Sequence, residues 1–270
     1  MKKQIHHYYQ MDMDQILKFG NEQHSGNFTL KLTNYTCTME TATKKYIFAS
    51  EQVDKKTFQF FQLINKQVAG EIREIQGKIK YYDFTGIKEK EIESCFCVDL
   101  NSAYLQVLKN EKVIDDKTFK FIDQESRKTK GAKMARLKSV GLFAKNPMLM
   151  IYENGEIKEF KQERNPFSWV FFIACLKTCE AMEIIKKEFP EEFLFYWVDG
   201  IFIKKNSEKI RERLLQLGFP SKIENIKNLE KSEKNICYMK DNKEKILFLP
   251  KTYSEEISSI KETLSNIHQL

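Results

Sequence analysis

The chain has 270 residues, 41% of them hydrophobic, with 21 Phe and 11 Tyr, which is enough to bury a core and excludes global disorder. Its 45 Lys and Arg against 38 Asp and Glu leave a formal net charge of +7, a moderate excess that suits a phosphate-bearing partner without requiring one. Six Cys without a CxxC pair, and four His remote from any Cys pair, exclude a zinc site of the usual spacing and read as reduced thiols of an intracellular, cytoplasmic protein.

Residues 1–14 lack the apolar stretch of a signal peptide, and the longest apolar run, Trp169–Leu176, is too short for a bilayer. A soluble protein with no membrane partner is expected. Residues 1–55 mix strand-like runs, Phe28–Leu32 and Lys44–Ser50, with polar turns, and Asp12 and Asp14 read as a helix cap. Apolar side chains at helical spacing predict a helix over 57–76. Ile79–Phe84 is followed by a charged stretch over 88–93 and an apolar strand, Ser94–Leu100.

A helix is expected to start within 101–109, residues 110–130 are polar and basic, and 133–144 is helical. Met148–Phe160 reads as a hairpin turning at Asn154-Gly155. Asn165-Pro166 predicts the N-cap and first-turn proline of a long helix over 167–189, which Pro190 stops. A second hairpin over 193–205 is expected to turn at Asp199-Gly200. A basic helix over 207–217, a short linker, a strand over 235–240 and a helical tail complete the chain. Strands and helices interleave without a βαβ rhythm, so the expected fold class is α+β with an antiparallel sheet.

Two aspartates stand out. Asp99 ends an apolar strand just before the helix-starting residues Asn101 and Ser102, a junction that gathers a carboxylate, a carbonyl and helix N–H groups. Asp199 sits at a hairpin tip between two apolar strands. Each alone reads as a cap or a turn residue; together they form a carboxylate pair of the kind two-metal phosphoryl transfer uses.

The same residues resemble the polymerase core of family B DNA polymerases, most closely the protein-primed branch. Asp99–Leu105 (DLNSAYL) resembles motif A, D-x-x-S-L-Y-P, with Leu105 in place of proline. The resemblance makes Asp99 a metal ligand, Leu100 the donor of a carbonyl ligand, and Ser102 and Tyr104 nucleotide-binding residues, Tyr104 stacking beneath the sugar. Lys133–Gly141 (KMARLKSVG) resembles motif B, K-x-x-x-N-S-x-Y-G, and makes Lys133 a contact to incoming phosphates. Here Leu137 replaces the asparagine and Val140 the tyrosine. Tyr196–Lys204 (YWVDGIFIK) resembles motif C, Y-x-D-T-D-S, with Asp199 matching its second aspartate, Trp197 replacing the first and Gly200 the serine. Lys234–Lys240 resembles the basic-aromatic K-x-Y element that steadies a primer end, through Lys234 and Tyr238. Lys128, Lys130, Lys133, Arg136, Lys138 and Lys145 gather around motif B, and Lys130, Arg136 and Lys138 are expected to meet nucleic acid.

The resemblance covers roughly residues 80–240. It implies a palm with an antiparallel sheet (88–109 and 147–205), a small helical fingers insertion (110–146) and a minimal thumb (206–270), after an N-terminal α+β region (1–87) without an exonuclease pattern. It implies two Mg²⁺ or Mn²⁺ ions, a DNA primer-template and deoxynucleoside triphosphates as partners, a priming or replication protein beside them, and a phage or mobile-element setting. The departures in motifs B and C keep two alternatives open: a catalytically degenerate palm that binds nucleic acid as a subunit, and a reverse transcriptase-like enzyme.

Overall fold

The computed structural model of the protein describes residues 4–8, 11–32, 36–49 and 54–250, so most of the expected helical tail lies outside the described residues, and its described start is a strand, Lys243–Phe248, rather than a helix. Among these residues the fold is α+β, and its strands pair antiparallel apart from one parallel pair. The chain divides into two compact units, one formed by residues 1–79 and 102–178, the other by residues 80–101 and 179–270.

The first segment supplies β1 (Gln4–Tyr8), α1 (Met13–His24), β2 (Phe28–Leu32), β3 (Thr36–Glu40), β4 (Lys44–Ala49) and α2 (Lys55–Val68). The second supplies β5 (Tyr82–Asp83) and β6 (Glu91–Leu100). The third supplies α3 (Ala103–Asn110), α4 (Asp116–Ser126), α5 (Lys130–Gly141), β7 (Met148–Glu153), β8 (Glu156–Gln162) and the start of α6 (Trp169–Glu188). The last supplies β9 (Phe193–Trp197), β10 (Gly200–Ile203), α7 (Ser207–Gln216), β11 (Ser221–Lys231), β12 (Asn235–Lys240) and β13 (Lys243–Phe248).

In the first unit a six-stranded sheet runs β1-β4-β3-β2-β7-β8. Leu30, Met39 and Phe48 alternate inward on its strands and pack with Ile16 of α1. Asp12 caps α1 through a reciprocal bond with Gln15, as expected of its cap position. The helices form a separate core, in which Phe60, Ile64 and Val68 make the buried stripe of α2 and meet Leu105, Leu108, Ile122, Ala135 and Ile173. α2 stops at Val68, short of the expected residue 76, because Gly70 takes a left-handed φ of 86°. The expected β7–β8 hairpin turns as predicted, with Asn154 and Gly155 at φ 55° and 83°. α6 begins at Trp169, after a turn in which the Asn165 side chain accepts a bond from the Phe167 N–H.

The second unit holds a seven-stranded sheet, β13-β12-β11-β6-β10-β9-β5. Cys95, Cys97, Phe195, Phe202, Ile226 and Ile236 pack on one face of it. Tyr196, on the other face by strand alternation, bonds Glu183 of α6. Asp83 is fully buried between Lys80 and Lys186. Burial opposes its charge, but the bonds from Lys186, Lys80 and Thr85 prevail and hold its carboxyl well below the ordinary value.

These units redraw the expected boundaries. The β7–β8 hairpin, expected in the palm, extends the first unit's sheet through β2, and β11–β13, expected in a thumb, extend the sheet that contains β6. No described helix is long and apolar enough to cross a membrane.

Candidate functional site

The site grows from one row of paired residues in the second unit. Lys222 on β11 lies opposite Asp99 on β6, Asp99 opposite Gly200 on β10, Gly200 opposite Trp197 on β9, and Trp197 opposite Tyr82 on β5. Residues directly opposite in antiparallel strands project from the same face, so the row runs cation, carboxylate, glycine, indole, phenol. Gly200 is buried and puts no side chain between Asp99 and Trp197: a Cβ there would stand 3.3 Å from Cys97 Sγ, which already fills the space, and 3.8 Å from Asp99 Oδ1.

Asp199 follows one step beyond. The expected Asp-Gly turn is displaced by one residue, since Gly200 pairs with Trp197 and the two-residue loop is Val198-Asp199. Val198 takes the left-handed φ of 54°, a strained choice for a β-branched residue. Two bonds hold it there: the Val198 N–H donates to the Tyr81 carbonyl at 2.6 Å, and the Leu100 N–H donates to the Asp199 carbonyl at 2.9 Å. The backbone thus ties the Asp199 loop directly to the end of the strand that carries Asp99 and Leu100. Leu100 itself is buried.

Asp99 is partly exposed, and its Oδ2 lies 3.2 Å from Lys222 Nζ. Lys222 also bonds Glu224 at 2.5 Å, and Lys240 closes the chain on Glu224. Burial lowers the Lys222 pKa, but Glu224 and Asp99 outweigh it and raise the value, so this lysine stays charged. Sequence reasoning missed Lys222 and Glu224. Their i, i+2 spacing in a charged segment is the one trace they leave.

The expected primer-end pair separates. Tyr238 stacks edge-on to Phe202 at 5.4 Å, and burial, with the charges of Cys97, Glu224 and Asp99, pushes its hydroxyl up to about 12. Lys234 does not join it near Asp99. It lies in the exposed β11–β12 turn, beyond Lys231, and nine steps of strand, about 30 Å, separate Lys231 from Lys222.

In the first unit, Lys130, Lys133 and Lys138 lie on the exposed face of α5 with Met134 and Leu137, while Ala132, Ala135, Ser139 and Val140 face inward. Arg136 departs from the expectation of a nucleic-acid contact. Its side chain is only 9% exposed, it bonds Ser126 at 3.1 Å and Ser102, and it lies 3.7 Å from Asp123. Ser102 departs as well: it starts α3 at φ 57° without a side-chain cap, and its hydroxyl bonds Asp123 and Arg136 rather than facing a nucleotide. Tyr104 is partly buried against the helical core, edge-on to Phe171 at 6.0 Å.

No family pattern matches the chain, and no curated protein is significantly similar to it. Among the described residues, no group of three or more His, Cys, Asp or Glu side chains converges as a ready metal cage. Mg²⁺ is also held by one or two carboxylates acting together with substrate phosphates, a mode for which Asp99 and Asp199 are the candidates.

Proposed function

We propose that the chain is a small template-directed DNA polymerase that adds deoxynucleotides to a primer 3′-hydroxyl. The supporting observation is the bond from Leu100 N–H to the Asp199 carbonyl, which ties the loop that carries Asp199 to the end of the strand that carries Asp99. Asp99 and Asp199 would hold two Mg²⁺ or Mn²⁺ ions. Those ions supply a lowered pKa at the 3′-hydroxyl and charge neutralisation at the leaving pyrophosphate. Lys222 holds Asp99 in place from the neighbouring strand. Lys130, Lys133 and Lys138 offer counter-charge to phosphates, so affinity for DNA falls steeply with salt.

The test is primer extension by the purified chain with each metal, on DNA and on RNA templates. Extension on DNA that Asp99→Asn and Asp199→Asn both abolish supports the reading; absence of extension with either metal sinks it. A second reading, a palm kept for nucleic-acid binding without turnover, is favoured by the Lys222 ion pair, which satisfies Asp99 without a metal. It predicts primer-template binding that neither substitution nor added metal changes.

A further inference from the structure

The aromatic end of the row has no role in the reading so far. Trp197 stacks on Tyr82 with ring centroids 5.5 Å apart and planes 20° apart, and Tyr82 stacks in turn on Phe84 at 5.6 Å and 26°. All three are half-buried, neither sealed in the core nor fully in water. Strand alternation sends Tyr196 and Trp197 to opposite faces, and it is Trp197 that shares the face of Asp99. Asp99 and Trp197 are two strands apart, about 10 Å, with only Gly200 between them.

We infer that Trp197, backed by Tyr82, is a shelf for the nucleobase of the nucleotide whose sugar and phosphate are held at Asp99. The inference rests on the nucleotidyl-transfer reading above. A nucleotide has a flat aromatic end and an anionic end, and the row offers an indole and, about 10 Å away on the same face, a carboxylate beside a cation, with no side chain at Gly200 between them. Every base has a π-face, so such a shelf holds any of the four without reading sequence. The same loop joins the two ends, because Val198, next to Trp197, is bonded to Tyr81, next to Tyr82. Movement of the shelf therefore moves Asp199. The nucleotide is either the free triphosphate or the 3′-terminal residue of a primer.

The experiment reads the two tryptophans. Trp169 is buried beneath Arg73, with its N–H on the Glu71 carbonyl, so a base quenching tryptophan emission meets Trp197. In the unaltered chain and in Trp169→Phe, emission is titrated with a deoxynucleoside triphosphate and with a DNA oligonucleotide, each with Mg²⁺. A third arm uses the same oligonucleotide with an abasic 3′-terminal residue. Quenching by the triphosphate assigns the shelf to the incoming nucleotide, and quenching by the intact but not the abasic oligonucleotide assigns it to the primer end. Either result supports the shelf. Absence of quenching in all arms overturns it, as does equal quenching by the intact and abasic oligonucleotides with none by the triphosphate.

Kinetics give a second reading: Trp197→Ala raises KM for the assigned ligand about tenfold or more, while Trp197→Phe, which keeps a stacking ring, stays within about threefold. A KM unchanged in Trp197→Ala overturns the shelf even if the chain extends primers. Conversely, base-dependent quenching in a chain that extends nothing keeps the shelf and removes the polymerase reading.

Discussion

Two polar clusters in this protein, each built on a cation beside an aspartate, serve opposite ends. In the first unit, Arg136, Asp123, Ser102 and Ser126 bind one another around an arginine that is 9% exposed. In the second, Lys222, Asp99, Glu224 and Lys240 form a comparable chain, but Lys222 is 47% exposed and Asp99 is partly exposed. The first cluster is turned inward onto protein partners, where it fixes helices. The second keeps a carboxylate at the solvent edge. Exposure, not residue type, separates a structural ion cluster from a candidate site.

The comparison breaks most visibly at its carboxylates. Asp99→Asn is expected to lower primer extension at least about 10³-fold, roughly 4 kcal/mol of transition-state stabilisation, with little change in melting temperature. Arg136→Met should do the reverse, costing about 3 kcal/mol in denaturant unfolding by leaving Asp123 short of a buried partner. Lys222→Met, the matching change in the exposed cluster, should cost less than about 1 kcal/mol. If the two lysine and arginine variants prove equally destabilising, exposure is not what distinguishes the clusters.

A third cluster sharpens the contrast through pH. Because the folded carboxyl of Asp83 lies below its ordinary value of about 3.9, its stabilisation is present above that pH and is lost as the pH falls through and below it. Melting temperatures measured between pH 7 and pH 2 should show this loss, and Asp83→Asn should flatten it. The smallest expected effect lies in the Asp199 loop. Val198→Asn tolerates the left-handed φ better and should stabilise the fold by about 1 kcal/mol, read by denaturant titration.

The sequence made some of this legible and hid the rest for physical reasons. Apolar runs bounded by turn chemistry marked β6, α6 and both hairpins, and Asn154-Gly155 turned where its residues demand positive φ. β11 was invisible because Ile223, Ile226 and Leu229 recur every third residue, and a register shift between Lys227 and Glu230 breaks the two-residue period. α4 turns Thr118, Ile122 and Ser126 inward, a buried stripe too polar to register as one. The Asp-Gly turn signal pointed one residue too far along, because tertiary bonds to Tyr81 and Leu100 impose the turn on Val198. Asp99 and Asp199 were found as residues with suggestive neighbours. Lys222, Gly200 and Trp197 acquired meaning only through strand order, which no local pattern encodes.

Both units are discontinuous, the chain passing between them after residues 79, 101 and 178. During synthesis β6 emerges with neither of its partners made: β10 follows about a hundred residues later, and β11 later still. At ~5–20 residues per second, a nascent chain carries that unpaired apolar strand for about 5–20 s before its sheet can close. Truncation after residue 79 or 101 would leave neither unit complete, whereas residues 1–178 contain all of the first. The protein should therefore depend on chaperones on the ribosome more than its length alone implies, and no uninterrupted segment contains the second unit alone.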